Sequence, residues 1–128
     1  MAADPSEQQS TRILLAEDDE SMRGFLTRAL SRAGHHVTPM EDGQAAYERL
    51  QSEPFDLLLT DIVMPEMDGI ELARRASDID PALKIMFITG FAAVTLKSDP
   101  AALDDARVLS KPFHLKDLVD EVERLLAA

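Results

Sequence analysis

Residues 55–69 read FDLLLTDIVMPEMDG, an apolar run that ends in an acid and is followed by turn residues. The run Phe55–Thr60 predicts a strand buried on both faces, as in a parallel sheet. Pro65 and Gly69 mark the loop that follows it. Asp61 therefore stands at the carboxyl end of a buried strand, where open α/β sheets bind their ligands.

Three other strand-like runs deliver polar residues in the same way. The residues that follow them are Glu17 and Asp18 after Ile13–Ala16, Thr89 after Ile85–Ile88, and Lys111 after Val108–Ser110. Carboxyl ends of parallel strands meet at one edge of a sheet. We therefore expect three acids, one hydroxyl and one ammonium group to converge on a single point.

Strand and helix patterns alternate along the whole chain. The predicted strands are Arg12–Ala16, His35–Pro39, Phe55–Thr60, Lys84–Thr89 and Arg107–Ser110, and the predicted helices are Glu20–Ala33, Gln44–Leu50, Ile70–Ser77 and a last helix from Leu115 to Leu126. Five βα units predict a three-layer α/β sandwich with right-handed crossovers. The helix between the fourth and fifth strands should be short or irregular, because Asp99-Pro100 interrupts it.

Length and composition indicate one globular domain. We expect residues 1–11, which are polar and acidic, to form a flexible tail, and residues 12–128 to form the domain. The hydrophobic share is 45%, the chain lacks cysteine, and the formal net charge is −11. Such a charge argues against nucleic-acid binding. No apolar stretch approaches the ~20 residues of a membrane span, and no secretory signal is evident. The sequence thus predicts a cytoplasmic protein.

These residues and their flanking motifs resemble the receiver domain of two-component response regulators. The family's acid pair matches Glu17 and Asp18, its phosphoacceptor matches Asp61, its hydroxyl residue matches Thr89 and its lysine matches Lys111. The match covers nearly the whole chain and implies a flavodoxin-like fold with strand order 2-1-3-4-5. More narrowly, the segments LLAEDDE, LTDIVMPEMDGIELARR and IMFITGFAAV resemble the stand-alone CpdR-type regulators of alphaproteobacteria.

The crowded carboxylates should attract a divalent cation, and Mg²⁺ suits them because it prefers oxygen ligands. The resemblance implies that Asp18, Asp61 and the backbone carbonyl of Val63 bind the metal, with Glu17 acting directly or through water. It further implies that Asp61 is phosphorylated, while Lys111 and Thr89 contact the phosphoryl oxygens. Catalysis would be limited to the chain's own phosphorylation and dephosphorylation, so we do not expect an enzyme that acts on other substrates.

The resemblance also identifies a switch region. Receivers commonly carry Tyr or Phe at the position of Val108, and that ring moves when the threonine contacts the phosphate. Valine has no such ring and is stiff at χ1. We therefore expect Thr89 to act on the adjoining loop, with Gly90 leaving space for the phosphoryl group and Phe91 as the moving side chain. The resemblance also implies a cis peptide bond between Lys111 and Pro112, as in the family.

A histidine kinase or histidine phosphotransfer protein is the donor that the resemblance implies. Nothing follows the last helix, so output should come through protein contacts. CpdR-type regulators prime substrate delivery to the protease ClpXP in their unphosphorylated form, which implies ClpX or its substrates as partners. The terminal Leu125–Ala128 also resembles apolar tails that ClpX recognises, with a frayed helix end as the simpler interpretation. A phosphorelay intermediate or kinase regulator remains the alternative role.

Two rival functions remain more distant. A magnesium-dependent phosphohydrolase of the haloacid-dehalogenase type also forms an aspartyl phosphate, but it needs an acid two residues after the nucleophile. Here Val63 fills that position and cannot protonate a leaving group. A flavodoxin-like nucleotide binder would need a glycine-rich phosphate loop after the first strand. Residues 18–20 are all acidic instead and would repel a phosphate.

Overall fold

Five parallel strands form a single sheet in the order β2-β1-β3-β4-β5, which confirms the predicted order and the flavodoxin-like fold class. The structure is a computed structural model that describes residues 11–89 and 107–127. The strands are β1 Arg12–Ala16, β2 His36–Met40, β3 Leu57–Asp61, β4 Lys84–Thr89 and β5 Arg107–Ser110, and the helices of the described residues are α1 Glu20–Arg32, α2 Gly43–Ser52, α3 Gly69–Ile79 and α4 Leu115–Ala127.

The predicted bounds of β1, β4 and β5 agree with the structure, and the other elements shift by one or two residues. The strand β3 begins at Leu57 instead of Phe55 and extends through Asp61. The predicted irregular helix between β4 and β5, together with Gly90 and Phe91, lies outside the described residues. So do residues 1–10 of the predicted tail. Thr11 is described, and its carbonyl accepts a hydrogen bond of 2.8 Å from the His36 amide.

Hydrophobic clusters cover both faces of the sheet. One cluster joins Leu58 of β3 to side chains of α2 and α3, and the other joins Leu57 and Leu59 to side chains of α1 and α4. These three leucines are fully buried. A buried leucine contributes about 1.5–3 kcal/mol relative to an exposed one. The central strand is thus fixed from both sides, and Asp61 at its end takes a defined position.

An aspartate caps each of the first three helices. Asp19, Asp42 and Asp68 accept hydrogen bonds of 2.8–3.0 Å from backbone amides three residues later. Such a cap stabilises a helix by about 1 kcal/mol. Two of the caps, Asp19 and Asp68, begin the helices that follow β1 and β3. They therefore set where the chain turns after each of the strands that carry the acids.

Across the two described ranges, no helix combines the length and the apolar character that crossing a lipid bilayer requires.

Candidate functional site

The structure brings Glu17, Asp18 and Asp61 together at the carboxyl ends of β1 and β3. The two strands are neighbours, and their register pairs Ala16 with Thr60, so the acids that follow leave the sheet at the same level. One carboxylate oxygen from each acid lies within 4.8 Å of the others. Glu17 and Asp61 are buried, whereas Asp18 is exposed. The cluster therefore has a closed inner side and an open outer side.

Lys111 reaches the same cluster from β5, on the far side of β4. Its Nζ lies 2.9 Å from Oδ2 of Asp61 and 3.6 Å from Oε1 of Glu17. The Lys111-Pro112 peptide bond is cis, as the resemblance implied. The other carboxylate oxygen of Asp61, Oδ1, accepts a hydrogen bond of 3.3 Å from the Val63 amide. Both oxygens of Asp61 are therefore held by donors.

Burial and crowding shift the ionisation of the site. Burial, together with the negative charge of Asp61, raises the pKa of Glu17 to about 7, although the hydrogen bond from Asp19 and the charge of Lys111 oppose the rise. Burial would lower the pKa of Lys111, but the hydrogen bond to Asp61 and the charge of Glu17 outweigh it and hold that pKa above its usual value. Lys111 is thus a cation at neutral pH, and it offsets part of the acidic charge.

The Oε1 atom of Glu17 is available to bind a further ligand. Oε2 accepts a hydrogen bond of 3.1 Å from the Asp19 amide. Oε1 is buried and has no hydrogen-bond partner in the described part of the chain. A buried carboxylate oxygen without a donor is costly unless a charge compensates it. Three clustered carboxylates with one such oxygen fit a hard cation with oxygen ligands such as Mg²⁺. The backbone carbonyl of Val63 remains a predicted fourth ligand.

Glycine is required where the loop after Asp61 closes on the site. The Gly69 amide donates a hydrogen bond of 2.8 Å to the Ile62 carbonyl. A Cβ at Gly69 would lie 2.1 Å from the carbonyl oxygen of Asp61, and one at Gly43 would lie 2.7 Å from that of Met67. Neither position tolerates a side chain without backbone movement. In the same loop after Asp61, Glu66 adopts a positive φ of 66°.

Of the remaining predicted residues, Thr89 lies at the same edge of the sheet, Val108 lies within β5, and Gly90 and Phe91 lie outside the described ranges. Thr89 ends β4 and pairs with Ser110, the residue before Lys111, while Asp61 pairs with Ile88. The backbone thus places Thr89 one residue beyond the level of Asp61. Val108 is half-buried against the cluster on the α2 and α3 side of the sheet. That valine at this position leaves the switch without the usual moving ring remains a prediction.

Sequence reasoning missed two contacts that shape the site. The Thr60 hydroxyl donates a hydrogen bond of 2.8 Å to the Asp61 carbonyl. The Arg23 guanidinium donates one of 2.9 Å from Nη1 to the Glu17 carbonyl. Each is a side chain bonded to a backbone oxygen, so the residue types carry no pattern that indicates it. The close contact between Gly43 and the Met67 carbonyl could have been predicted, because Asp42-Gly43 repeats the pair of cap residue and glycine in Asp68-Gly69.

Comparisons with known proteins agree with this geometry. The response regulator receiver domain family matches residues 13–123. The response regulator receiver protein CpdR of Brucella abortus is 72% identical over 117 residues, which cover 91% of this chain and 98% of that protein. The sensor kinase CckA of Brucella abortus is 34% identical over 119 residues, 91% of this chain but 13% of the kinase. A receiver protein structure from Sinorhizobium medicae superposes with a TM-score of 0.87 at 34% identity, covering 94% of this chain and 98% of that one.

Proposed function

The chain belongs to the response regulator receiver domain family, and we propose that it accepts a phosphoryl group on Asp61 and thereby switches a protein-contact surface. One observation carries the proposal. Asp61 is buried at the meeting point of two further acids and Lys111, whose Nζ lies 2.9 Å from Oδ2. A purely structural ion pair would not need two more carboxylates beside it, because they repel Asp61.

The proposed reaction is an in-line displacement at phosphorus. A carboxylate oxygen of Asp61 forms the new bond to phosphorus, and the bond from phosphorus to the donor breaks, so that the leaving group takes the electron pair. With a phosphohistidine donor, the leaving group is the imidazole nitrogen. Such a transfer depends on positioning and on neutralising the phosphoryl oxygens. Asp61 is already fixed by Val63 and Lys111, so little reorganisation precedes attack.

Lys111 has two successive roles in this proposal. In the resting protein it pairs with Oδ2 of Asp61 and offsets the repulsion between that carboxylate and Glu17. After transfer, its ammonium group pairs with a phosphoryl oxygen as a compact charge. Mg²⁺ bound by Glu17, Asp18 and Asp61 would neutralise further negative charge. Thr89, at the same edge of the sheet, would donate a hydrogen bond to another phosphoryl oxygen.

We propose a histidine kinase or a histidine phosphotransfer protein as the donor, and the cytoplasm as the compartment. The output we propose is control of ClpX or its substrates, with the unphosphorylated form active. The 72% identity with CpdR over nearly the whole chain supports this choice. Purified ClpX should bind the unphosphorylated chain, and the phosphate mimic beryllofluoride should weaken binding. No binding in either state would instead favour a phosphorelay intermediate or a kinase regulator.

Acetyl phosphate with Mg²⁺, followed by intact-mass measurement, tests the phosphorylation itself. The wild type should gain one phosphoryl group that is labile at alkaline pH. Asp61→Asn should gain none and keep its fold, because asparagine has nearly the same shape. Asp78→Asn, an exposed position on α3, is the matched control and should behave as wild type. Undiminished labelling of Asp61→Asn would refute the proposal.

The same experiment separates the phosphohydrolase alternative. A phosphohydrolase would turn over acetyl phosphate continuously, because a general acid assists the departing group. The side chain two residues after Asp61 is Val63, which is apolar and 56% exposed. We therefore expect one phosphoryl group per chain and slow loss instead of rapid turnover.

A further inference from the structure

Arg23 contacts the acid pair from α1. It lies one helical turn beyond the cap residue Asp19, and it is half-buried. Its Nη1 donates a hydrogen bond of 2.9 Å to the backbone carbonyl of Glu17, which belongs to the peptide that joins Glu17 to Asp18. We propose that Arg23 is a positioning residue: it fixes this peptide so that both carboxylates face Asp61. The inference rests on the proposed function, since it assigns Arg23 to the same metal site.

The contacts around Glu17 explain why one more donor matters. The Glu17 amide donates a hydrogen bond of 3.1 Å to the Met40 carbonyl, which fixes the peptide before Glu17. Arg23 fixes the peptide after it. Asp18 is exposed, so the direction of its side chain depends on its backbone more than on packing. If the Glu17–Asp18 peptide rotated, the Asp18 carboxylate would leave the cluster.

The charge of Arg23 and its hydrogen bond to the Glu17 carbonyl predict opposite effects on Mg²⁺ affinity. Its guanidinium is a permanent cation close to the acids, so its charge alone opposes the binding of another cation. Removing the charge would tighten Mg²⁺ binding. Removing the hydrogen bond would loosen the acid pair and weaken Mg²⁺ binding. The sign of the change therefore identifies the dominant role, and the proposal requires weaker binding.

The test measures Mg²⁺ affinity by titration calorimetry in three variants. Arg23→Met keeps the apolar stem but loses donor and charge, and it should weaken binding roughly tenfold, as is typical when a residue that orients a metal ligand is lost. Arg23→Lys keeps a donor and the charge, and it should lie between Arg23→Met and wild type. Arg28→Met, an exposed arginine on the same helix, should bind as wild type does.

A second readout requires no metal. In EDTA, amide hydrogen exchange at Asp18 and Asp19 should be faster in Arg23→Met than in Arg28→Met, while exchange at Leu30 in the interior of α1 stays equal. A general loss of stability would speed amide exchange at Leu30 as well, and that result would overturn the proposal. Unchanged or tighter Mg²⁺ binding in Arg23→Met would also overturn it.

The two proposals fail in different ways. If wild type is phosphorylated on Asp61 but Arg23→Met equals Arg28→Met in both readouts, only the role of Arg23 is wrong. If wild type neither binds Mg²⁺ nor gains a phosphoryl group, the proposed function is wrong, and the role of Arg23 at the metal site is overturned with it.

Discussion

Glu17→Gln should stabilise the metal-free protein at alkaline pH, although it replaces a buried acid of the site. The folded-state pKa of Glu17 is about 7, against 4.5 for the free side chain. The folded protein therefore binds a proton more tightly than the unfolded chain does. It follows that the contribution of Glu17 to the free energy of unfolding is greatest below about pH 4.5 and falls as the pH rises to about 7. Above about pH 7, Glu17 is charged in the folded and the unfolded protein, and the full cost of burying its charge lowers the free energy of unfolding.

The shift from 4.5 to about 7 sets the size of the effect. At 1.36 kcal/mol per pKa unit, it corresponds to at most about 3 kcal/mol. Glutamine carries no charge, and its side-chain oxygen can accept the hydrogen bond that Oε2 accepts from Asp19. We expect Glu17→Gln to unfold with a free energy about 1–3 kcal/mol higher than wild type at pH 8. Near pH 4.5 the two proteins should differ much less.

Urea denaturation followed by circular dichroism, in EDTA at several pH values, measures this difference. Glu53→Gln is the matched control, because hydrogen bonds and ion pairs with Arg49 and Arg12 lower the pKa of that half-buried acid instead. Glu53→Gln should therefore bring no gain at pH 8. Added Mg²⁺ should reverse the order of wild type and Glu17→Gln, since wild type binds the ion more tightly. A pH-independent difference, or a Glu17→Gln protein less stable at pH 8 in EDTA, would refute the reasoning.

Substitutions at Gly69, Glu66 and Lys111 test neighbouring parts of the site, with Gly24→Ala as a comparison for the first. Gly69→Ala should destabilise the protein by about 3 kcal/mol, because its Cβ would lie 2.1 Å from the Asp61 carbonyl oxygen. Gly24→Ala, whose Cβ would have its nearest neighbour at 3.5 Å, should instead stabilise the protein by about 0.5–1 kcal/mol. The midpoints of urea denaturation distinguish the two variants. Glu66→Asn should raise stability by up to about 1 kcal/mol in the same assay, since asparagine tolerates positive φ better. Lys111→Met should tighten Mg²⁺ binding about tenfold in calorimetry yet slow phosphorylation by acetyl phosphate, and weaker Mg²⁺ binding would contradict the ion-pair geometry.

The sequence predicted the strand order through resemblance and the meeting of the acids through strand ends. Local pattern reveals the short apolar runs that end at the acids, whereas the order of the strands in the sheet came only from the resemblance. The start of β3 was predicted two residues early, because the apolar Phe55 stands just before the leucine run Leu57–Leu59 and extends it in the sequence. In the structure they make other contacts: the Arg12 guanidinium lies 5.3 Å from the Phe55 ring centre, and the Arg12 amide donates to the Asp56 carboxylate at 2.8 Å. Contacts between distant segments set this boundary, and local pattern does not show them.

The electrostatic state of the site was also beyond prediction from sequence. Glu17 and Asp18 are adjacent in the chain, yet one is fully buried and the other exposed. The difference arises because Glu17 continues the line of β1 into the sheet edge, while Asp18 is already in the turn before the Asp19 cap. The raised pKa of Glu17 follows from that burial. Residue type and order alone would have assigned the two acids equal roles.

Borohydride trapping tests the central claim most directly, because it reports the modified residue itself. Wild-type protein is incubated with acetyl phosphate and Mg²⁺, and the acyl phosphate is then reduced by borohydride, which converts the modified aspartate to homoserine. Peptide sequencing by mass spectrometry should find homoserine at position 61, only when both reagents are present. Homoserine at another acid, such as Asp18, or none at all under conditions that label the intact protein, would contradict the account.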